Sequence, residues 1–333
     1  MKSLIIILLA LVIAGNVHAD DKYGEFSRYL SKELEKQYKL FKPECDLCAC
    51  YLGIDPSYNS SQISLRYSSF KYYSEGIPVE SDPNVDHGDT GTDPSTEYYN
   101  RVEVTGRYYM NPSVRFLINI PYSLNNIDGK RIKDFGDVSV IGQYQLYNTR
   151  VEAETDFRNR VFVGGGVKAP TGAYNKSIVY GEVEPHFQPG TGSFDFLLSG
   201  TYLARYKSNL GLSTDVIYTI NTTNSNEYRF SNRFNVTSTL FYIINAGKRT
   251  HTGTEWTFLP HSGVYLESAG LDTQDGVNVD DSGGSVLFAT GGIDIYYNQF
   301  DISFTYQGPV SQSLNGDQPQ NKYRFYIGAG YSF

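Results

Sequence analysis

Histidine, methionine, tryptophan and cysteine are all scarce in this chain of 333 residues, at 5, 2, 1 and 3 residues. The shortage of histidine restricts acid–base chemistry, because beyond the first twenty residues only His87, His186, His251 and His261 remain. No Gly-x-Ser-x-Gly elbow and no Gly-x-x-x-x-Gly-Lys-Ser/Thr phosphate loop occurs, so two common enzyme signatures are missing. Basic residues are outnumbered, 28 Lys and Arg against 36 Asp and Glu, for a formal net charge of -8. A phosphate-binding surface needs a Lys/Arg excess, which argues against nucleic acid as a partner. Long apolar runs are missing too. The run 4–15 is shorter than the roughly 20 residues a membrane-crossing helix needs, and no later stretch comes near that length.

That short run reads instead as part of a signal peptide over residues 1–19: Met1 and Lys2 form a basic start, and Val17-His18-Ala19 is a small-residue cleavage site. The mature chain is expected to be exported and to lack a transmembrane helix. What it has in abundance is 29 Tyr, 19 Phe and 32 Gly. Aromatic and β-branched residues favour strands, whereas Gly and Asn favour turns.

From Ser61 onward the sequence divides into twelve runs in which apolar and polar residues alternate: 63–72, 101–109, 114–122, 137–147, 160–169, 194–204, 210–220, 228–241, 255–266, 286–297, 300–307 and 322–333. In the second, Val102, Val104, Gly106 and Tyr108 take one side and Arg101, Glu103, Thr105 and Arg107 the other. In the eighth, Phe230, Phe234, Val236 and Leu240 flank Arg229, Ser231, Arg233, Asn235 and Thr237 in imperfect alternation. Such a charged face cannot be a soluble core. The links between runs mostly alternate, short at 110–113, 205–209 and 298–299, long at 73–96, 123–134, 170–193, 268–285 and 310–321. Links 148–159 and 222–227 fit the alternation less well.

The expected fold is all-β, a transmembrane up-and-down antiparallel β-barrel of about 12 strands over residues 61–333, with short periplasmic turns and long outer loops. The final run, NKYRFYIGAGYSF, alternates aromatics up to a terminal Phe333 and is expected to close the barrel. A C-terminal strand of this kind resembles the assembly signal of bacterial outer-membrane barrels. A secreted β-sandwich has similar strand content, but the signal peptide, the loop alternation and the terminal Phe disfavour it. Arg66, Arg101, Glu103, Arg107, Arg115, Arg229, Arg233 and Arg324 are the candidate lumen-facing groups. Opposed charges on that wall favour small polar or zwitterionic solutes, whereas glycine gaps favour apolar ones. A long link such as 170–193 could fold inward and plug the lumen.

Two segments go beyond generic barrel character, VFVGGGVKAPTGAYN at 161–175 and FQPGTGSFDFLLSGTYLA at 187–204. In the outer-membrane family named after the meta-pathway of phenol degradation, a glycine-rich strand runs into a Pro-Thr-Gly turn, and a Gln-Pro-Gly-Thr-Gly-Ser-type loop leads into the next strand. Gly164, Gly165, Gly166, Pro170, Thr171, Gly172, Gln188, Pro189, Gly190 and Gly192 stand at matching places, so the chain resembles that family across the barrel, most clearly in its middle third. The resemblance implies a passive channel for small, often apolar or aromatic, molecules. Gly164 and Gly166 would permit close approach of another backbone or of a solute, or else a kink that helps the wall curve.

Residues 20–60 are of a different kind. In 20–41, Tyr23, Phe26, Tyr29, Leu30, Leu34, Tyr38 and Phe41 recur at spacings of three and four, the pattern of a short amphipathic periplasmic helix. It could lie on the membrane, pack in the barrel mouth, bind a periplasmic partner, or have no role. Cys45, Cys48 and Cys50 follow in a Cys-x-x-Cys-x-Cys turn. Three thiolates could hold a soft metal ion such as Cu(I) or Zn, although no fourth ligand is identified; a disulfide is the alternative in an oxidising periplasm. A c-type haem is disfavoured because Ala49 follows Cys48. The cysteines suggest a second function, a metal-handling or redox-linked outer-membrane protein. Outer links 73–96 and 268–285 are acidic, the second through Asp272, Asp275, Asp280 and Asp281; they could hold Ca²⁺, bridge lipopolysaccharide through divalent ions, or simply be solvated. A monomer surrounded by outer-membrane lipid is expected, and no enzyme. The one seed for a barrel hydrolase is His261 beside Ser262.

Overall fold

The computed structural model describes residues 49–50, 53–54, 60–74, 95–127, 130–149, 156–177, 183–207, 209–250 and 253–333. The expected signal peptide, the helix over 20–41, Cys45, Cys48 and the acidic stretch 75–94 lie outside them. At Cys50 the backbone belongs to a two-strand ribbon, Ala49–Cys50 paired with Gly53–Ile54, which runs alongside the barrel strand Leu210–Ile220.

Twelve strands form the barrel: β1 (Gln62–Ser74), β2 (Ser95–Asn111), β3 (Val114–Ile127), β4 (Val138–Asn148), β5 (Phe157–Ala169), β6 (Asp195–Tyr206), β7 (Leu210–Ile220), β8 (Arg233–Tyr242), β9 (Gly253–Ala269), β10 (Gly284–Tyr297), β11 (Phe300–Leu314) and β12 (Gln320–Ser332). Each pairs antiparallel with its sequence neighbours, and β12 returns to β1 with Gln320 opposite Tyr73 and Ser332 opposite Gln62. Beyond the last strand residue, the Phe333 N–H still donates to the Ser61 carbonyl at 2.8 Å. Closure removes both sheet edges, which is how strands satisfy their backbone groups in hydrocarbon.

The side chains divide as the period of two requires, but inside out. Ile63, Leu65 and Ile302 are exposed on the outer wall, the last by 62%, while the largest wholly buried side chains include Arg107, Arg115 and Arg160. Soluble proteins bury the opposite set. On the outside, aromatics gather near the short turns, where Trp256 and Tyr297 lie 4.5 Å apart and Phe300 and Tyr331 5.2 Å apart. A second group, including Tyr122 with Phe135 and Tyr306 with Tyr323, lies toward the long loops. These are the two girdles of a membrane barrel.

All twelve expected runs are strands, but several are longer than the alternation suggested. β2 and β9 have 17 residues each and β11 has 15, against roughly 9–11 needed to span a bilayer, so these strands run on past it; β9 does so partly at the short-turn end, where Gly253 pairs with Thr250. Two links expected to be long are therefore mostly strand: Lys130–Phe135 folds back along β3, and β11 runs on to Leu314. The run expected over 228–241 is two pieces. Tyr228–Arg229 leaves the wall and joins Asp272–Gln274 and Val277–Val279 in a separate three-stranded sheet. Further on, Ile244–Thr250 continues the line of β8 against β9, after a break at Ile243. The residues opposite the break include Pro260, which has no N–H to donate, and the Ile243 N–H turns to the Asn209 carbonyl instead at 2.8 Å.

Glycines set the curvature. A Cβ at Gly164 would lie 1.9 Å from the Gly142 carbonyl oxygen, and one at Gly166 would lie 2.1 Å from that of Val140. On the inner face β5 and β4 thus approach too closely for any side chain. The same contact recurs at Gly263 and Gly292, beside the carbonyls of Ser238 and Phe304. Close backbone approach at a wall bend, not room for a solute, explains Gly164 and Gly166. Gly164→Val should cost the folded barrel more than about 2 kcal/mol in urea unfolding from lipid vesicles; wild-type stability would contradict this packing.

Candidate functional site

Inside the barrel near the short turns, Phe162, Leu203, Phe241, Ile243, Leu259 and Tyr296 are each less than one-tenth exposed and pack with Tyr109 into an apolar floor. Arg115 lies over it, its guanidinium 3.9 Å from the Phe162 ring centroid. Arg115 Nε donates to Gln143 Oε1 at 2.7 Å and Nη2 to Thr201 Oγ1 at 3.2 Å; the Thr201 hydroxyl donates to Asp215 at 2.7 Å. This chain of polar groups runs along the inner wall from β3 and β4, past β5, to β6 and β7. Beside it Arg107 donates to Gln62, and Gln62 to Asp301.

Toward the long-loop end the lumen is lined by ion pairs. Arg66 Nη2 is 2.8 Å from Glu103 Oε2. Arg324 Nη1 and Arg233 Nη1 share the Glu267 carboxylate at 2.9 and 3.4 Å. Arg324 also covers the Phe288 ring at 4.3 Å, and Arg101 lies 5.7 Å from that of Phe70. Cation–π contact and carboxylates together compensate charges removed from water.

Of the eight expected lumen residues, Arg66, Arg101, Glu103, Arg107, Arg115, Arg233 and Arg324 face inward. Arg229 does not: it is exposed on the small outer sheet and donates from Nε to the Asn221 carbonyl at 3.1 Å. The chain has left the wall there, so alternation no longer reports a lumen face. The hydrolase seed also fails, because adjacent strand residues face opposite sides. His261 points inward, with Nε2 3.9 Å from Asp294, while Ser262 is exposed on the outer wall. Gln143, Arg160 and Asp215 are lumen groups that parity within their runs could have identified, and Arg205 one that falls in the expected link 205–209; Phe162, an apolar residue on the polar face, carries no such signal.

The glycine-rich motifs sit at the mouth as a clasp. The Asp137 carboxylate accepts from the Gly172 N–H at 2.9 Å, and from the Thr191 N–H and hydroxyl at 2.7 and 2.8 Å. Gly172 and Gly190 stand back to back, since a Cβ at Gly190 would lie 2.8 Å from the Gly172 Cα. Thr171, following Pro170, accepts from the Val138 N–H and donates to the Gly136 carbonyl; the Pro189 carbonyl packs over Gly136. Gln188 accepts from the Lys176 N–H and donates back to its carbonyl, both at 2.9 Å. Gly192 has φ +73° and leaves no room for a Cβ beneath the Tyr174 ring. Gly165 faces the outer wall. These residues join two loops to each other.

The clasp directs a short helical turn, Pro185–Phe187, into the mouth. Phe187 is wholly buried, its carbonyl accepts from Asn125 Nδ2 of β3 at 2.9 Å, and its ring meets Tyr99 edge-on. A latch holds the turn from outside. His186 Nε2 lies 2.9 Å from Asp272 Oδ2, the Tyr228 hydroxyl donates to the same oxygen at 2.6 Å, and the Ser231 N–H donates to Oδ1 at 2.8 Å. Burial would raise the Asp272 pKa, but the bonds from His186, Tyr228 and Ser231 outweigh it and hold the pKa at about 2. Burial and the adjoining Asp272 carboxylate push the Tyr228 hydroxyl well above the usual phenol range. Asp272, one of the acidic-loop residues considered for cations, is thus engaged in the latch. Among the described residues no three His, Cys, Asp or Glu side chains are grouped to hold a metal.

A depressed carboxylate pKa stabilises the latched state above the ordinary value of 3.8 and ceases to do so as pH falls toward 2. The protection of the Ser231 amide, its exchange rate relative to the intrinsic rate at each pH, should therefore fall over that interval in the wild type. In Asp272→Asn that protection should already be low at pH 6 and change little on acidification. Equal protection of that amide in both proteins would contradict the latch.

No curated protein matches the chain. Among solved structures, an outer membrane channel from Pseudomonas putida F1 matches with a TM-score of 0.58 and 12% identity, covering 88% of this chain and 99% of that one. At that identity the likeness is one of fold. The NanC porin matches with a TM-score of 0.42 at 12% identity, over 81% of this chain and 100% of that one. LpxR from Salmonella typhimurium gives 0.38 at 13%, over 81% and 100%. Residues 90–313 match the family described as "Putative MetA-pathway of phenol degradation". That match takes in most of the barrel together with the clasp motifs, and the chain belongs to this family of outer-membrane barrels.

Proposed function

We propose that this chain is exported to the outer membrane and serves there as a passive channel for small solutes. One observation carries the reading: a wall of paired charges, Arg66 with Glu103 and Arg233 and Arg324 with Glu267, lines the inside of a barrel whose outside is apolar. On this reading the long loops are extracellular and the short turns periplasmic. Charged groups this costly to bury make sense where they line a path for polar matter.

The same lumen has an apolar foothold. Leu117, Ile141, Leu197 and Ile217 cluster on the inner wall beside Asn119, Gln143 and Asp215. Solutes with an apolar body and a polar group could contact both, in keeping with small apolar or aromatic molecules as cargo. The Phe187 turn above and the Arg115 and Phe162 floor below restrict passage to small ones. Channel activity needs no catalytic group.

If the turn limits passage, Phe187→Gly should raise single-channel conductance in planar bilayers by about twofold or more, because pore radius controls flux. Unchanged conductance in a folded variant would remove the turn from the path. A wild-type barrel and a variant that both fail to conduct would defeat the channel reading itself.

A further inference from the structure

The mouth carries a cavity of about 440 Å³, bordered among the described residues by Tyr174 and Asn175, by the clasp and turn from Val183 to Thr191, by Asn224 to Phe230 and by Gln274 of the small outer sheet. Tyr174, Asn175, Pro185, Asn226, Tyr228 and Phe230 line it, and none of the described lining residues is charged. We propose that it is a binding site for neutral polyhydroxylated solutes, of the size of a mono- or disaccharide, on the way into the barrel. The proposal deepens the channel reading and takes its physiological sense from it.

Three features select that chemistry. The first is rigidity: Asn224 donates to the Thr191 carbonyl at 2.8 Å and accepts from the N–H groups of Asn226 and Tyr228, while Gln274 donates to the Asn226 carbonyl at 3.0 Å. These amides fix the frame before any solute arrives, which limits the entropy lost on binding. The second is a free donor beside a free acceptor. Asn226 Nδ2 donates to Asn175 Oδ1, so Asn175 Nδ2 and Asn226 Oδ1, on two exposed side chains, are left for a solute to meet. Reversing both amides would still leave one donor and one acceptor. Adjacent hydroxyls on a sugar ring both donate and accept and so can meet this pair.

The third feature is aromatic. Tyr228 and Phe230 cross edge-on with centroids 5.0 Å apart and give the cavity an apolar wall for the C–H face of a sugar ring. No charged side chain lines the cavity to pair with an ion, since Asp272 behind Tyr228 is already taken up by the latch, and a purely apolar solute would gain nothing from the amide pair. The cavity volume lies within the ordinary range of small-molecule sites, roughly 300–1,000 Å³.

Saturation-transfer NMR on the full chain folded in micelles tests this, with maltose as the probe and sodium benzoate as the comparison. Maltose should receive saturation and benzoate should not displace it. Asn175→Leu and Asn226→Leu, made separately and each checked for folded migration on gels, should weaken maltose binding about tenfold, the loss of one well-placed hydrogen-bonding partner. No saturation of maltose by the wild type, undiminished binding in both folded variants, or displacement by benzoate would each overturn the site. Conductance is read separately, so the two ideas fail separately. A conducting barrel that ignores maltose loses only the site, and one that binds maltose without conducting loses only the channel.

Discussion

The pairing of β12 with β1 turns a twelve-strand sheet into a ring, and the other features of the molecule follow from that closure. A sheet in hydrocarbon cannot leave an edge unpaired, since each orphaned backbone group costs several kcal/mol there. Once closed, the ring has an outside that meets lipid and an inside that does not. Apolar and aromatic side chains therefore take the outer positions and the charged ones have only the lumen. A ring of this size also bends sharply on its inner face, and where β4 and β5 approach most closely only glycine fits, at Gly164 and Gly166.

Charges confined to a narrow lumen need partners. Arg324 has Glu267 and the Phe288 ring, Arg66 has Glu103, and Arg115 has Gln143, Thr201 and the Phe162 ring. Removing one member of a buried pair typically costs about 3–5 kcal/mol because the other is left uncompensated. The groups that would set the field along the path are thus also cross-braces of the wall. Selectivity and stability are carried by the same side chains.

Much of this was legible in the alternation of residues. A period of two fixes which side chains share a face, so Arg101, Glu103 and Arg107 could be assigned to one wall without knowing their neighbours. The rule fails where the chain leaves the wall, as at Arg229, and it misjudges length where strands continue above the membrane, as in β11. The clasp motifs were recognisable as residues, but their purpose was not. Asp137 lies 35 residues from Gly172 and 54 from Thr191, so only the fold brings them together. Phe187 gave no signal either, being one aromatic in a long loop; its burial depends on Asn125 and Tyr99 across the mouth.

The central claim is a small-solute path through a barrel narrowed by its own side chains. Swelling of liposomes containing the full chain, followed with a series of uncharged solutes from glycerol to a trisaccharide, tests it most directly. The account predicts rapid swelling with the smallest solute and a steep fall in rate as size increases. Equal rates across the series would contradict the narrowed lumen, and rates no higher than those of protein-free liposomes would contradict the channel.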